Sequence, residues 1–258
     1  MLTSVINFLK SVLFFVFSYI FLRNLIIFIR GKINRKKFVD IEFTKLVDFL
    51  KYTIVDIIRE VKLRRQGIKT FKEYGCTIFV NEQGAGKTAS MVEYLDRMQR
   101  KYPKVKVLTN FGYKKEDKPF TNWDDMRTYR NGLDGVIFAI DEIASEYDNQ
   151  SWKSFPKWLM REISQQRKQR IKIILSSQVY SDVVKQIRNQ CTEVVECRAF
   201  GSRWIFQRAF DAKEYNKMID NPTLEMKGLK RKWRYSFIFS DRLRNLYDSY
   251  KKVEALKK

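Results

Sequence analysis

Apolar residues follow three rhythms along the chain. At the amino end, "SVINFLKSVLFFVFSYIFLRNLIIFI" is apolar on every helical face, the pattern of a helix within hydrocarbon. Its uncharged core, Ser11–Leu22, falls short of the ~30 Å of a bilayer at ~1.5 Å per residue. Val5–Leu22 or Ser11–Ile29 is long enough and takes in one charge, Lys10 or Arg23, which can snorkel to the interface. A cleaved signal peptide fits less well, because basic residues rather than a small-x-small site follow. Next, Phe43, Leu46, Val47, Leu50, Ile54, Ile58 and Val61 recur at helical spacing, predicting an amphipathic helix that Gly67 ends. That helix either packs on the main body or serves a membrane surface or a second copy.

From residue 76 the rhythm changes. "CTIFV", "VKVLTNF", "GVIFAID" and "IKIILSS" are short, largely apolar runs, the third continuously so, that predict strands at 76–80, 105–111, 135–141 and 171–177. Between them lie predicted helices at about 88–100, stopped by Pro103, and at 156–169, opened by Pro156. Strands alternating with helices imply an α/β fold with a doubly wound, mostly parallel sheet. "RWIFQRAF" and "WRYSFIF" read as an added strand pair near the carboxyl end, with aromatics in the core and cations at the surface. The expected domains are an anchor (1–30), a basic and amphipathic linker helix (31–70) and the α/β domain (71–258).

The turn after the first strand carries the chemistry. "NEQGAGKT" stands between strand and helix, the context a phosphate-binding loop requires. Candidate nucleotide contacts are Asn81, Gly84, Ala85, Gly86, Lys87, Thr88 and Ala89. The glycines let backbone N–H groups turn inward, Lys87 supplies charge to the β and γ oxygens, and the Thr88 hydroxyl is placed for Mg²⁺. Asn81 stands where this motif normally has its first glycine; asparagine tolerates a left-handed backbone better than most residues. "VIFAIDE" ends a buried strand in two carboxylates, which assigns Asp141 to Mg²⁺ and Glu142 to polarising the attacking water. Gln178, just past the fourth strand, would donate to the γ-phosphate if that strand neighbours both motifs. Arg161, Arg167, Arg170 and Arg188 flank this region, and one could complete a neighbouring subunit's site. Arg167 is chosen because its helix end is expected at the sheet's carboxyl edge. ATP and Mg²⁺ are the implied cofactors.

Charge narrows the partners. The 258 residues hold 51 Lys and Arg against 29 Asp and Glu, a formal +22. That field favours nucleic acid or anionic membrane. From Gly201 to Lys258 there are 15 basic and 7 acidic residues, and "LKRKWRYSF" mixes cations with Trp233 and Tyr235, a composition able to track a phosphate backbone. Arg23, Arg30, Lys32, Arg35, Lys36 and Lys37 follow the predicted span, which places the body in the cytoplasm. Histidine is absent, which excludes His-ligated zinc and His-based catalysis. Cys76, Cys191 and Cys197 have no metal-ligand spacing and read as reduced core residues.

Taken together, "NEQGAGKT", "VLTNF", "VIFAIDE" and "QQRKQRIKIILSSQVYSDVVKQIRNQCTEVVEC" resemble the zonula occludens toxin-like assembly ATPases of filamentous phages, relatives of the FtsK–HerA pumping ATPases. The matching positions include Thr109 and Asn110, Arg167 and Gln178, Asp182 and Arg188, and the closing "NLYDSY" (Asn245–Tyr250). The resemblance spans about Gly75 to Tyr250. It implies a single-pass ATPase on the inner face of the host membrane, working as a homo-oligomeric ring with phage coat proteins and single-stranded DNA as partners. Family members typically carry their span after the ATPase domain; here it comes first, an order suited to a plectrovirus of a wall-less host. A DNA translocase or conjugative coupling ATPase, and a scaffold that binds nucleotide without hydrolysing it, are the alternatives.

Overall fold

The computed structural model describes residues 10–12, 14–22, 43–67, 69–146, 157–221 and 228–248. The chain divides into an amino-terminal unit, Met1–Ile58, and a body, Arg59–Lys258. In the amino-terminal unit, residues 14–22 are helical, and Phe14, Phe15, Phe17 and Phe21 are exposed. Among the described residues no helix is long and apolar enough to cross a membrane. Both candidate spans, Val5–Leu22 and Ser11–Ile29, run into residues outside the described set, as do the basic stretch after them, Pro156 and the end of "NLYDSY". The amphipathic helix is present as α1 (Phe43–Arg65), with Val47, Ile54 and Ile58 exposed along it. Gly67 ends it at φ 72°, its N–H donating to the Arg64 carbonyl at 3.0 Å.

The body is built on one eight-stranded sheet. The strands are β1 (Gly75–Val80), β2 (Lys106–Thr109), β3 (Lys118–Pro119), β4 (Val136–Ile140), β5 (Ile171–Ser177), β6 (Cys191–Phe200), β7 (Trp204–Asp211) and β8 (Arg231–Ile238). Their order is β3-β2-β4-β5-β1-β6-β7-β8. Pairing is parallel from β3 through β6 and antiparallel from β6 through β8, so the expected added strands extend the sheet at its far edge. β3 has no counterpart in the apolar pattern. It is two exposed residues on an edge, where proline is tolerated because no ladder N–H is needed.

The largely apolar make-up of β1, β4 and β5 follows from burial on both faces. Successive side chains point to opposite sides of a strand. Ile78, Val80, Phe138 and Ile140 therefore join one core, with Leu159 and Ile163 of α3 (Lys157–Ser164) and the buried Trp123. Phe79, Ile137, Ala139 and Ile174 join the other, with Met91, Val92, Leu95 and Met98 of α2 (Lys87–Lys101). The helix expected to run unbroken to Gln169 has a turn at Gln165 and resumes as α4 (Gln166–Gln169). Arg170, left-handed at φ 56°, then turns the chain into β5.

The far end of α2 is held electrostatically. Asp96 is 1% exposed and receives Arg100 at 3.1 Å, Lys115 at 2.8 Å and Arg242 at 2.9 Å. Burial alone would raise its carboxyl, but the hydrogen bonds from Arg242 and Lys115, with the charges of Lys115 and Arg100, hold it below the ordinary aspartate value. The contact ties α2 to the short helix α6 (Asp241–Arg244), which follows α5 (Ala212–Asp220) and β8 in the chain. A depressed folded-state value means stability that is present above about pH 3.9 and is lost as pH falls through the lower folded value. Asp96→Asn should lower unfolding free energy at pH 7 by about 2 kcal/mol in urea titrations, with the gap to the parent closing below pH 4. A gap independent of pH would assign the loss to packing instead.

Candidate functional site

The sheet order brings the predicted site residues to one place. β5 lies between β1 and β4, so the phosphate loop, the end of β4 and the end of β5 share one carboxyl edge. In a parallel sheet the carboxyl edge, where the strand order reverses, is where ligands bind.

The loop has the geometry its glycines imply. Gly84 and Gly86 sit at φ 81° and 85°. A Cβ on Gly86 would lie 2.9 Å from Ile205 Cδ1, so this position needs glycine for space as well as for angle. Gly86 precedes α2 with no side-chain cap, leaving the first N–H groups of the helix for an anion. Lys87 is 6% exposed, its Nζ donating to the carbonyls of Asn81 at 2.9 Å and Glu82 at 3.1 Å. Ala85 is half-buried, and the Ala89 side chain belongs to the core, which leaves only its amide for a ligand.

Asn81 answers the question its position raises. Its φ is 135°, a region where glycine is the ordinary occupant. Two bonds hold it there: Nδ2 donates to the Cys197 carbonyl at 2.9 Å, and Oδ1 accepts from the Glu82 amide at 2.9 Å. The side chain supplies the support for a conformation that glycine would adopt without help.

Asp141 is the hub of the catalytic edge. Thr88 Oγ1 donates to its Oδ2 at 2.9 Å, and Ser176 Oγ donates to its Oδ1. The Asn110 side chain makes two hydrogen bonds with the Asp141 backbone, accepting from its amide at 2.8 Å and donating to its carbonyl at 3.1 Å. Thr88 and Asp141 thus present two hard oxygens side by side. Among the described residues no group of three His, Cys, Asp or Glu could hold a metal alone. A magnesium ion does not need one, because it takes one or two protein oxygens, waters and substrate phosphates.

Glu142 is held in a left-handed conformation, φ 53°. Such strain in a non-glycine residue persists only where neighbours enforce it. Here its amide donates to Ser176 Oγ at 2.9 Å, and Ser145 Oγ donates to its carbonyl at 2.7 Å. Its carboxylate lies 3.9 Å from Lys87 Nζ and accepts from Gln178 Nε2 at 3.5 Å. Burial pushes this carboxyl above the ordinary glutamate value, Lys87 opposes that, and Asp141 adds to it.

Two residues stand apart from expectation. Arg167 is at the opposite edge of the sheet from the phosphate loop, its guanidinium over the Tyr74 ring at 5.6 Å, just before β1 begins. The expectation of a carboxyl-edge position is corrected. A helix returning between parallel strands ends where the next strand starts, which is the amino edge. Ser176, in contrast, received no role from the sequence. The signal was a small hydroxyl inside a wholly buried strand, one residue from the strand end.

Asn81→Ala should cost about 1–3 kcal/mol of unfolding free energy, because the positive φ persists without its supporting bonds. Asn81→Gly should be distinctly milder, since glycine reaches that angle freely; equal losses in urea melts would refute this account. Ser176→Ala should lower ATP turnover about 10–100-fold while leaving nucleotide affinity largely intact, as read by steady-state kinetics beside equilibrium binding.

The family model of the zonular occludens toxin (Zot) matches residues 58–239. No curated protein matches. The N-terminal domain of zonular occludens toxin from Neisseria meningitidis is 16% identical at a TM-score of 0.46, over 68% of this chain and 100% of that one. The genome packaging NTPase B204 of Sulfolobus turreted icosahedral virus 2, solved with ATP-gammaS, is 11% identical at a TM-score of 0.39, over 54% of this chain and 93% of that one. The family match covers well over half of the sequence and includes the phosphate loop, both carboxylates and Gln178. This chain belongs to the Zot family and is a P-loop ATPase.

Proposed function

We propose that the protein is a membrane-anchored motor that uses ATP hydrolysis to assemble and extrude filamentous virions carrying single-stranded DNA. The observation that carries the reading is the joining of a complete hydrolytic set at one sheet edge, in a chain of the Zot family. Lys87 and the loop amides would hold the β and γ phosphates. Thr88 and Asp141 would hold Mg²⁺, which neutralises charge on the phosphates when bound. Glu142 would orient and polarise the attacking water, and its raised proton affinity suits that work. Gln178, bonded to Glu142, would present its amide to the γ-phosphate.

Assembly into a ring follows from the position of Arg167 in this reading. At the amino edge of its own sheet it cannot serve its own phosphate loop, whereas a head-to-tail neighbour would bring it to the next one. The anchor is the apolar amino-terminal segment, with the body on the cytoplasmic side and coat protein and DNA as cargo.

Purified protein should hydrolyse ATP, and Lys87→Ala should abolish turnover. Glu142→Gln should bind ATP without turning it over and should release no virions; unchanged virion release in that variant would favour a scaffold over a motor. Mixing Arg167→Ala with Lys87→Ala chains should recover part of the rate, since one interface in such a mixed ring is intact. No recovery at any ratio would remove Arg167 from the site. Cells carrying the phage genome with Lys87→Ala should accumulate coat protein and release no virions, and protease added outside intact cells should leave the ATPase body uncut.

A further inference from the structure

The three antiparallel strands have two unlike faces. On one, Cys197, Ile205 and Ala209 are buried in the core with α2. On the other, the strand register lines up three exposed rows. Phe200, Trp204 and Ile238 form the first, Arg198, Phe206 and Ser236 the second, and Glu196, Arg208 and Arg234 the third. Among the described residues the next row, Val194 with Phe210, is covered by Tyr215 of α5, whose hydroxyl also reaches Glu196 at 3.2 Å.

This face departs from the expectation that the strand aromatics are core. Phe200 is 72% exposed, Ile238 58%, Trp204 45% and Phe206 38%. The rings of Trp204 and Phe206 lie 4.8 Å apart, tilted by 32°. Trp233 and Tyr235, the pair singled out in the sequence, lie on the α2 side instead, where Tyr235 donates to Glu93 Oε1 at 2.9 Å. Arginines surround the exposed rings. Arg208 and Arg234 are directly opposite across strands, a like-charge pairing that costs stability when nothing lies between the two. Glu196 is the one acid in the three rows, 3.5 Å from Arg208. Arg198, Arg208, Arg231, Arg234 and Phe206 line a cavity of about 410 Å³.

We infer that this face is a binding platform for single-stranded DNA. Guanidinium groups around a concavity suit phosphodiesters, and exposed ring faces suit unpaired bases, which a duplex would hide in its stack. A flat membrane surface would leave the concavity unfilled. The same strands also touch the phosphate loop. Ile205, between Trp204 and Phe206, is the residue beneath Gly86, and the Cys197 carbonyl, next to Arg198, holds Asn81. The exposed face and the support of the nucleotide loop therefore share strands β6 and β7. The assignment names the cargo-gripping surface of the motor proposed above and rests on that reading.

The test is anisotropy of a labelled oligothymidylate with the full chain, without nucleotide, beside a base-free strand of the same length. Trp204→Ala with Phe206→Ala should weaken oligothymidylate binding about tenfold or more and leave base-free binding unchanged. Arg208→Ala with Arg234→Ala should weaken both and flatten the salt dependence. Trp204→Phe with Phe206→Tyr, which keeps both rings, should retain affinity. Unchanged oligothymidylate affinity in the aromatic variant would overturn the assignment. So would ring-dependent binding to anionic phospholipid vesicles, or a ring-dependent dimer in sedimentation, with DNA affinity unaltered. Basal ATP turnover of the same samples should be unaffected by the aromatic pair, and it reports on the motor reading separately.

Discussion

A carboxylate at the end of an otherwise apolar strand must find donors, and Asp141 finds them on its neighbours. Thr88 comes from the helix after β1, Ser176 from β5 and Asn110 from the end of β2. Placing those groups around one carboxylate requires β1, β2, β4 and β5 to run the same way and to end at the same height. The sheet order and register satisfy this. Burying the acid without such partners would cost several kcal/mol, so the hub and the arrangement of the parallel strands stand or fall together. The hydrolytic residues Lys87, Glu142 and Gln178 then come within reach of one another because they sit beside the hub.

Much of this was legible in the sequence where a physical period was at work. Largely apolar runs identified β1, β4 and β5 to within a residue, because burial on both faces favours apolar side chains; the buried Lys172 of β5 is tolerated through its bond to Thr77 Oγ1. The phosphate loop was legible because glycine, lysine and threonine at that spacing serve one geometry. Lines of contact between distant residues were not legible. Nothing local in "ILSSQ" tells which serine reaches back to Asp141. The error on Arg167 was topological, since a helix end was assigned to a sheet edge without following the direction of the chain. Trp204 and Phe206 of β7 were misread for a related reason, whereas Phe210, Trp233 and Phe237 do meet the core. An alternation of large and charged residues shows that a strand has two faces, but not which one meets the helix.

Two of the four non-glycine residues with positive φ among those described stand at the working edge. Asn81 and Glu142 both have positive φ, and each is held by bonds to an adjacent strand, Asn81 through Cys197 on β6 and Glu142 through Ser176 on β5. These two strands flank β1 on either side. The support for the nucleotide loop and for the water-polarising acid is therefore distributed across the sheet, and packing far from the edge governs how firmly each is aimed.

Asn81 also bears on what a sequence motif is. The first glycine of a phosphate loop stands for a dihedral angle, and the letter is only its usual encoding. This chain encodes the same angle as an asparagine plus a carbonyl on the neighbouring strand, two symbols more than a hundred positions apart. A pattern written in letters fails on such a chain, whereas one written in angles, with the bonds that sustain them, still reads it.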